Sequence, residues 1–180
     1  MDGLINAILK ISRDGRRPLK PETIELKELL EASAASLHHQ VSETDGRIEV
    51  SADVAPIVAD RLSLDQIFGN LLDNAVKYRS DRPIEIDIKA RRIHGNRVRV
   101  DVTDNGRGIA PQDHQRVFDL FRRSGTQDKP GEGIGLAHVR TLVRNMGGDI
   151  TLKSELGEGT TFTVLLPTDI RTVTRSNFGE

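Results

Sequence analysis

The chain contains no cysteine and no tryptophan, and it has few aromatic residues of any kind. Without cysteine it can form neither a disulfide framework nor a thiolate metal site, so redox chemistry leaves the compartment open. Five phenylalanines, one tyrosine and a net charge of -1 provide few stacking surfaces and no global attraction to polyanions, so we expect no nucleic-acid partner. No stretch reaches the roughly 18 consecutive apolar residues of a membrane span, so we expect no membrane contact by this domain.

The 180 residues are 36% hydrophobic and 29% charged, a balance typical of a soluble protein that buries a substantial core. Their number suits one domain of roughly 150 residues with an additional arm. Two prolines and a glycine between residues 14 and 21 separate an N-terminal segment from the body. We therefore expect a residual helix and linker at 1–18, one globular domain at 19–168 and a flexible tail at 169–180.

Apolar residues recur at helical spacing in several segments. These spacings predict helices over 26–37, 60–78, 111–121 and 134–146, the last of which stops at a glycine pair. At the N-terminus, Leu4, Ile8 and Ile11 also share one helical face. We interpret that face as the end of a packing helix from an oligomerising element, in preference to a helix lying on a membrane surface.

Apolar residues alternate with polar ones in other segments, which indicates half-buried strands. A short strand is expected at 48–50. The alternating segments 84–88 and 98–102 flank a His-Gly-Asn turn and predict a β-hairpin, and 150–152 with 162–166 predict a second hairpin. The sequence therefore predicts an α/β protein whose sheet is at least partly antiparallel.

Three segments carry side chains suited to chemistry, and the first lies on the predicted helix 60–78. Asn70, Asn74 and Lys77 are spaced i, i+4, i+7 and share one face of it. Two amides and an ammonium suit a metal ion and phosphates. The alternative is an ordinary solvated helix face.

The second segment is the turn that follows the predicted strand 98–102. Asp104 at the strand end offers a carboxylate acceptor to an exocyclic amine. Gly106 and Gly108 then allow the backbone to pass close to a flat ligand. The alternative is a plain Asp-Asn-Gly turn.

The third segment is glycine-rich and leads directly into the predicted helix 134–146. Gly131, Gly133 and Gly135 leave backbone amides free to face phosphate oxygens at a helix N-terminus. The segment is not a dinucleotide-binding fingerprint, because His138 stands where its last glycine is needed. A P-loop pattern occurs nowhere in the chain.

In this order the three segments resemble the N, G1 and G2 boxes of the GHKL (Bergerat-fold) ATPases. They are most similar to the catalytic ATP-binding domain of bacterial sensor histidine kinases, and residues 114–122 resemble the F box of that family. The resemblance covers roughly residues 20–167. It implies a two-layer α/β sandwich with a mixed, largely antiparallel sheet, helices on one face and an ATP lid loop, which is expected to be mobile, over 119–133.

The resemblance also implies a site for ATP and Mg²⁺. It assigns Asn74 to the Mg²⁺ ion, Asn70 and Lys77 to the phosphates, Tyr78 to the side of the nucleotide and Asp104 to the adenine amino group. The other nucleotide-binding positions would be Gly106, Gly108, Ile109, Phe118, Gly131, Gly133, Ile134, Gly135 and Leu136. For Phe118, together with Phe121, anchoring of the lid is the main role that we expect.

Catalytic roles are expected for Asn70, Lys77 and Arg122. Arg122 and its basic neighbours in the lid could neutralise charge in the transition state, or they could simply form a solvated basic loop. ATP-hydrolysing relatives carry a glutamate at the position of Asn70. An amide cannot accept a proton from water, so intrinsic hydrolysis should be poor and transfer to a partner preferred.

None of the five histidines lies in a phosphoacceptor motif. The resemblance implies the cytoplasmic catalytic domain of a protein histidine kinase, monomeric in isolation, and without a phosphoacceptor motif we expect it to be unable to phosphorylate itself. Its expected partners are a separate dimerisation domain that carries the phosphoacceptor histidine and, downstream, a response regulator. Two alternatives remain: a serine protein kinase of the anti-sigma type, and a non-catalytic nucleotide-sensing module.

Overall fold

A computed structural model describes residues 2–119 and 135–176 of the chain. Its helices are α1 (Asp2–Arg16), α2 (Leu26–Ala35), α3 (His38–Ser42), α4 (Arg61–Lys77), α5 (Gly135–Asn145) and α6 (Arg171–Ser176). Its strands are β1 (Pro21–Ile24), β2 (Arg47–Ala52), β3 (Ile57–Asp60), β4 (Glu85–Ile93), β5 (Arg97–Asp104), β6 (Asp149–Glu155) and β7 (Gly159–Pro167). None of these helices is both long and apolar enough to cross a membrane.

Five strands form the main sheet in the order β2-β4-β5-β7-β6. Strand β2 runs parallel to β4, and the other neighbours are antiparallel. Along β5, Val98, Val100 and Val102 are buried, whereas the polar residues that alternate with them are exposed or half-exposed. On that polar face Thr163 Oγ1 donates to Asp101 Oδ1 at 2.6 Å. Among the described residues, one face of the sheet therefore packs on helices, which confirms the predicted two-layer α/β sandwich.

Helix α4 forms the centre of the helical layer. Its core side is almost completely buried at Leu64, Ile67, Phe68, Leu71 and Leu72. The helix begins where Asp60, its N-cap residue, accepts a hydrogen bond from the backbone N–H of Ser63 at 3.0 Å. Tyr78 is its C-cap, so the predicted range of 60–78 is confirmed to within one residue at each end.

The sequence analysis missed the two-stranded antiparallel sheet of β1 and β3. Each strand has only four residues, too few for an alternating pattern to stand out. Their pairing brings the backbone N–H of Lys20 within 2.9 Å of Asp60 Oδ1. The small sheet thus ties the entry of the domain to the first turn of α4.

Three other predictions need correction. The helix predicted at 26–37 is divided between α2 and α3, because the chain leaves the helix after Ala35 and starts again at His38. Of the helix predicted at 111–121, the described residues 111–119 form two 3-10 turns, Pro111–Asp113 and Arg116–Phe118, instead of a continuous helix. The tail predicted to be flexible from residue 169 packs on the domain at its start, because Asp169 forms a parallel β-bridge with Val58 and Ile170 is buried.

Candidate functional site

The polar stripe of α4 lies at the edge of the helix beside its buried core face. Asn70, Asn74 and Lys77 are each half-buried, as their common spacing on one face requires. A half-buried amide keeps an oxygen available to a ligand while its backbone stays fixed in the helix. The three polar side chains of the predicted first segment therefore share one partly exposed face of α4.

The end of α4 contacts the turn after β5 directly. The backbone N–H of Arg107 donates to the carbonyl oxygen of Tyr78 at 3.1 Å. A Cβ added at Gly106 would lie 2.7 Å from the same oxygen, so only glycine fits there without displacing backbone. Two cations lie near the Tyr78 ring, Lys77 Nζ at 5.4 Å and Arg107 Cζ at 4.9 Å from its centroid. The first and second segments are thus one continuous structure.

Asp104 is the last residue of β5 and points its carboxylate into this turn. Its Oδ1 accepts a hydrogen bond from the backbone N–H of Gly106 at 2.8 Å. Burial raises the pKa of Asp104 from 3.8 to about 6, and backbone hydrogen bonds from Gly106 and Thr160 offset only part of that rise. A carboxylate whose charged form is destabilised by burial is typical of a functional position.

Gly108 has a backbone conformation that favours glycine, with φ at +72°. A Cβ there would lie 2.1 Å from the carbonyl oxygen of Glu155. The next residue, Ile109, is half-buried, and its backbone N–H donates to Ser154 Oγ at 2.7 Å. These contacts pack the turn after β5 onto the end of β6.

The start of α5 meets the polar stripe of α4. A Cβ at Gly135, the first residue of α5, would lie 3.8 Å from Asn70 Oδ1. Leu136 follows, partly buried against the core. The N-terminus of α5 therefore lies close to the amide of Asn70.

Phe118 is buried and packs edge to face on Phe162 of β7, with ring centroids 6.2 Å apart and an interplanar angle of 77°. Arg140 of α5 lies over its ring at 5.6 Å. These contacts give Phe118 an anchoring role. The other predicted lid and glycine-rich residues, Phe121, Arg122, Gly131, Gly133 and Ile134, lie outside the described residues.

Helix α1 docks on the same two helices, which the sequence analysis did not predict. His138 Nε2 of α5 lies 2.7 Å from Asp14 Oδ2, and His138 is the donor because a carboxylate only accepts. Arg17, just after α1, forms an ion pair with Asp60, the N-cap residue of α4. Burial lowers the pKa of His138 below 6.5; Asp14 opposes this effect and Lys10 adds to it.

The site therefore has a partly buried carboxylate at the end of β5, a helix N-terminus at Gly135, and a stripe of amides and an ammonium between them. Such an arrangement can accept a hydrogen bond from a base and donate to or neutralise phosphate oxygens. Within residues 2–119 and 135–176, no three His, Asp or Glu side chains cluster as a metal centre. Fold and site together define an ATP-binding domain of the layered α/β type.

Comparison with known families agrees with this class. Residues 59–170 match the family described as "Histidine kinase-, DNA gyrase B-, and HSP90-like ATPase", and the chain belongs to that family. Its relatives include sensor histidine kinases, so the chain carries a histidine-kinase-type ATPase domain.

Three relatives illustrate the similarity. Cyanobacterial phytochrome A of Nostoc sp. is 34% identical over 98% of this chain, which spans 23% of that protein. Full-length ShkA, solved in complex with AMPPNP, superposes with a TM-score of 0.81 at 33% identity, covering 92% of this chain and 35% of ShkA. The mycobacterial sensor histidine kinase MprB superposes at 0.72 with 27% identity, covering 82% of this chain and 97% of the solved one. The chain thus corresponds to about a quarter of the first of these relatives.

Proposed function

We propose that this domain binds Mg-ATP and donates the γ-phosphoryl group to a histidine on a separate dimerisation domain. The observation that carries the proposal is the convergence of three distant segments on one site. Tyr78 at the end of α4 contacts the turn at Gly106, and Asn70 of the same helix faces Gly135 at the start of α5. Asp104 marks one end of that site and Asn70 the other.

In this proposal Asp104 accepts a hydrogen bond from the adenine amino group, and Gly106 and Gly108 keep the backbone close to the ring. Asn70 and Lys77 bind phosphate oxygens. The amide oxygen of Asn74 is a hard donor that suits Mg²⁺, with phosphate oxygens and water as the remaining ligands. Bound Mg²⁺ would offset negative charge on the phosphates during transfer.

The transfer would form a bond between an imidazole nitrogen and the γ-phosphorus while the bond to the β,γ-bridging oxygen breaks, releasing ADP. In our assignment Asn70 cannot activate water for hydrolysis, since an amide does not take up a proton from water. The position of the histidines also supports a partner protein as the phosphoryl acceptor. His138, the histidine nearest the proposed phosphate end, is buried and bonded to Asp14.

The test is to incubate the chain with γ-labelled ATP, with and without a helical hairpin that carries a suitable histidine. We expect acid-labile phosphohistidine on the hairpin and no label on the chain itself. Asn74→Ala should abolish transfer. Robust labelling of the chain would contradict the proposal, and an acid-stable phosphoester on a partner would favour the serine kinase instead. A response regulator as the next acceptor and a cytoplasmic location belong to the same proposal.

A further inference from the structure

A cavity of about 270 Å³ lies beside the proposed phosphate end of the site. It has room for several waters at roughly 30 Å³ each, so it can hold a hydrated polar group. Three helices supply its walls. The residues that matter here are Lys10 and Ile11 of α1, Asn70 and Asp73 of α4, and Gly135 and His138 of α5.

Asn70 links this cavity to the nucleotide site. It lines the cavity together with Asp73 on one side of α4, and it shares the polar stripe with Asn74 on the other. Gly135 also lines the cavity, at the N-terminus of α5. A terminal phosphate bound between Asn70 and Gly135 would therefore face the cavity, and Lys10 with it.

A hydrogen bond and an ion pair fix α1 in this position. Asp14, one helical turn beyond Lys10, pairs with His138, and both side chains are largely buried. Arg17 pairs with Asp60. Between them, Asn145 Nδ2 donates to the carbonyl oxygen of Gly15 at 3.2 Å. Lys10 is thus held against the cavity by contacts made further along the same helix.

We propose that Lys10 is a phosphate-binding residue of the nucleotide site, positioned by the docking of α1 through the Asp14–His138 pair. This inference rests on the proposed function. The ammonium group of Lys10 is the one lysine or arginine charge that the described residues bring to this cavity. An ammonium group pairs well with the γ-phosphate of a nucleoside triphosphate, and a nucleoside diphosphate lacks that phosphate and its negative charge.

Asp73 also lines the cavity, and burial raises the pKa of its carboxyl. The cavity lies beside the position proposed for the terminal phosphate, which ADP does not fill. The contribution of Lys10 should therefore depend on the γ-phosphate and be small for ADP.

The experiment measures Kd for Mg-ATP and Mg-ADP by calorimetry on the full chain and its variants. Lys10→Met should weaken ATP binding about fivefold to tenfold and ADP binding less than about twofold, whereas Lys10→Arg should retain most of the ATP affinity. Lys27→Met, on the exposed side of α2, is the matched control and should change neither. Thermal melts of each variant verify that it is folded.

Asp14→Ala tests the positioning step. It should reproduce the ATP-selective loss, and adding Lys10→Met to it should cost little more, because the two changes act through one contact. By linkage, ATP should also slow hydrogen exchange in α1 more than ADP does.

Equal effects of Lys10→Met and Lys27→Met, with ATP binding by the wild type intact, would overturn this inference alone. Additive effects of the Asp14 and Lys10 changes would overturn the positioning by α1. A wild type that binds no ATP would overturn the proposed function together with this inference.

Discussion

Replacing Asp104 by asparagine should make the ligand-free domain more stable and its nucleotide binding weaker. The first effect follows from the partial burial of the carboxylate at the end of β5, and the second from its proposed contact with adenine. Burial raises the pKa of Asp104 from 3.8 to about 6, so at neutral pH the folded protein holds a charge that the unfolded chain accommodates more easily. The amide has nearly the same shape and carries no charge.

The expected gain follows from that difference. The rise from 3.8 to about 6 corresponds to about 3 kcal/mol at 1.36 kcal/mol per pKa unit, an upper bound for a side chain that solvent partly reaches. Asparagine is an uncharged and weaker acceptor for the backbone N–H groups of Gly106 and Thr160, which offsets about 1–1.5 kcal/mol of this gain. The net stabilisation should be about 1–2 kcal/mol.

The gain should depend on pH. Between 3.8 and about 6 the folded wild type retains a proton that the unfolded chain has released, so its stability falls as the pH rises through this interval. The stability difference between Asp104→Asn and wild type should therefore be small below 3.8 and complete above about 6. Urea denaturation without nucleotide, at several pH values, measures it.

ATP binding should change in the opposite direction. An amide presents either a donor or a misdirected acceptor to the adenine amine, so Asp104→Asn should weaken ATP binding at least about tenfold in calorimetry. Asp81→Asn, an exposed carboxylate in the loop before β4, is the control for charge alone. Unchanged ATP affinity would refute the adenine contact, and a less stable variant at neutral pH would refute the burial argument.

Further predictions concern the metal, the turn glycine, the helix cap and the buried histidine. Asn74→Ala should weaken ATP binding in magnesium buffer and leave the affinity in EDTA unchanged, as calorimetry would detect. In urea denaturation Gly108→Ala should cost clearly more than the roughly 1 kcal/mol expected of Gly157→Ala, because a Cβ at Gly108 meets backbone at 2.1 Å whereas one at Gly157 meets nothing within 4 Å. Asp60→Ala should lower the free energy of unfolding by about 2 kcal/mol through loss of the cap and its hydrogen bonds. The pKa of His138 is lowered from 6.5, so as the pH falls through 6.5 the unfolded chain binds a proton before the folded protein does, and the folded protein loses stability. His138→Gln should reduce this loss, and an unchanged slope of unfolding free energy against pH would contradict the prediction.

Local patterns in the sequence determined much of this domain. The range of α4 followed from its 3.6-residue apolar period and from Asp60, which caps the helix it precedes. The hairpin of β4 and β5 followed from alternation on either side of a glycine turn. Each of the boxes is a run of fewer than ten residues, so the boxes and their order could be recognised from the sequence.

The tertiary structure alone decided which of these segments meet. The parallel pairing of β2 with β4 joins strands that are separated by α4. The small sheet of β1 and β3 has no periodic signal of its own. The two 3-10 turns found within residues 111–119, where a helix was predicted, also depend on packing, since Phe118 is held by Phe162.

The docking of α1 is the clearest case. The apolar face predicted from its spacing includes Ile8, which is 41% exposed, whereas the contacts that hold the helix come from Asp14 and Arg17. Asp14 meets its partner His138 across 124 residues of chain. Periodicity reports only which residues of one segment share a face. Which distant groups that face meets, and how far burial shifts the pKa of Asp104 or His138, depends on every element packed around them, so only the folded structure determines it.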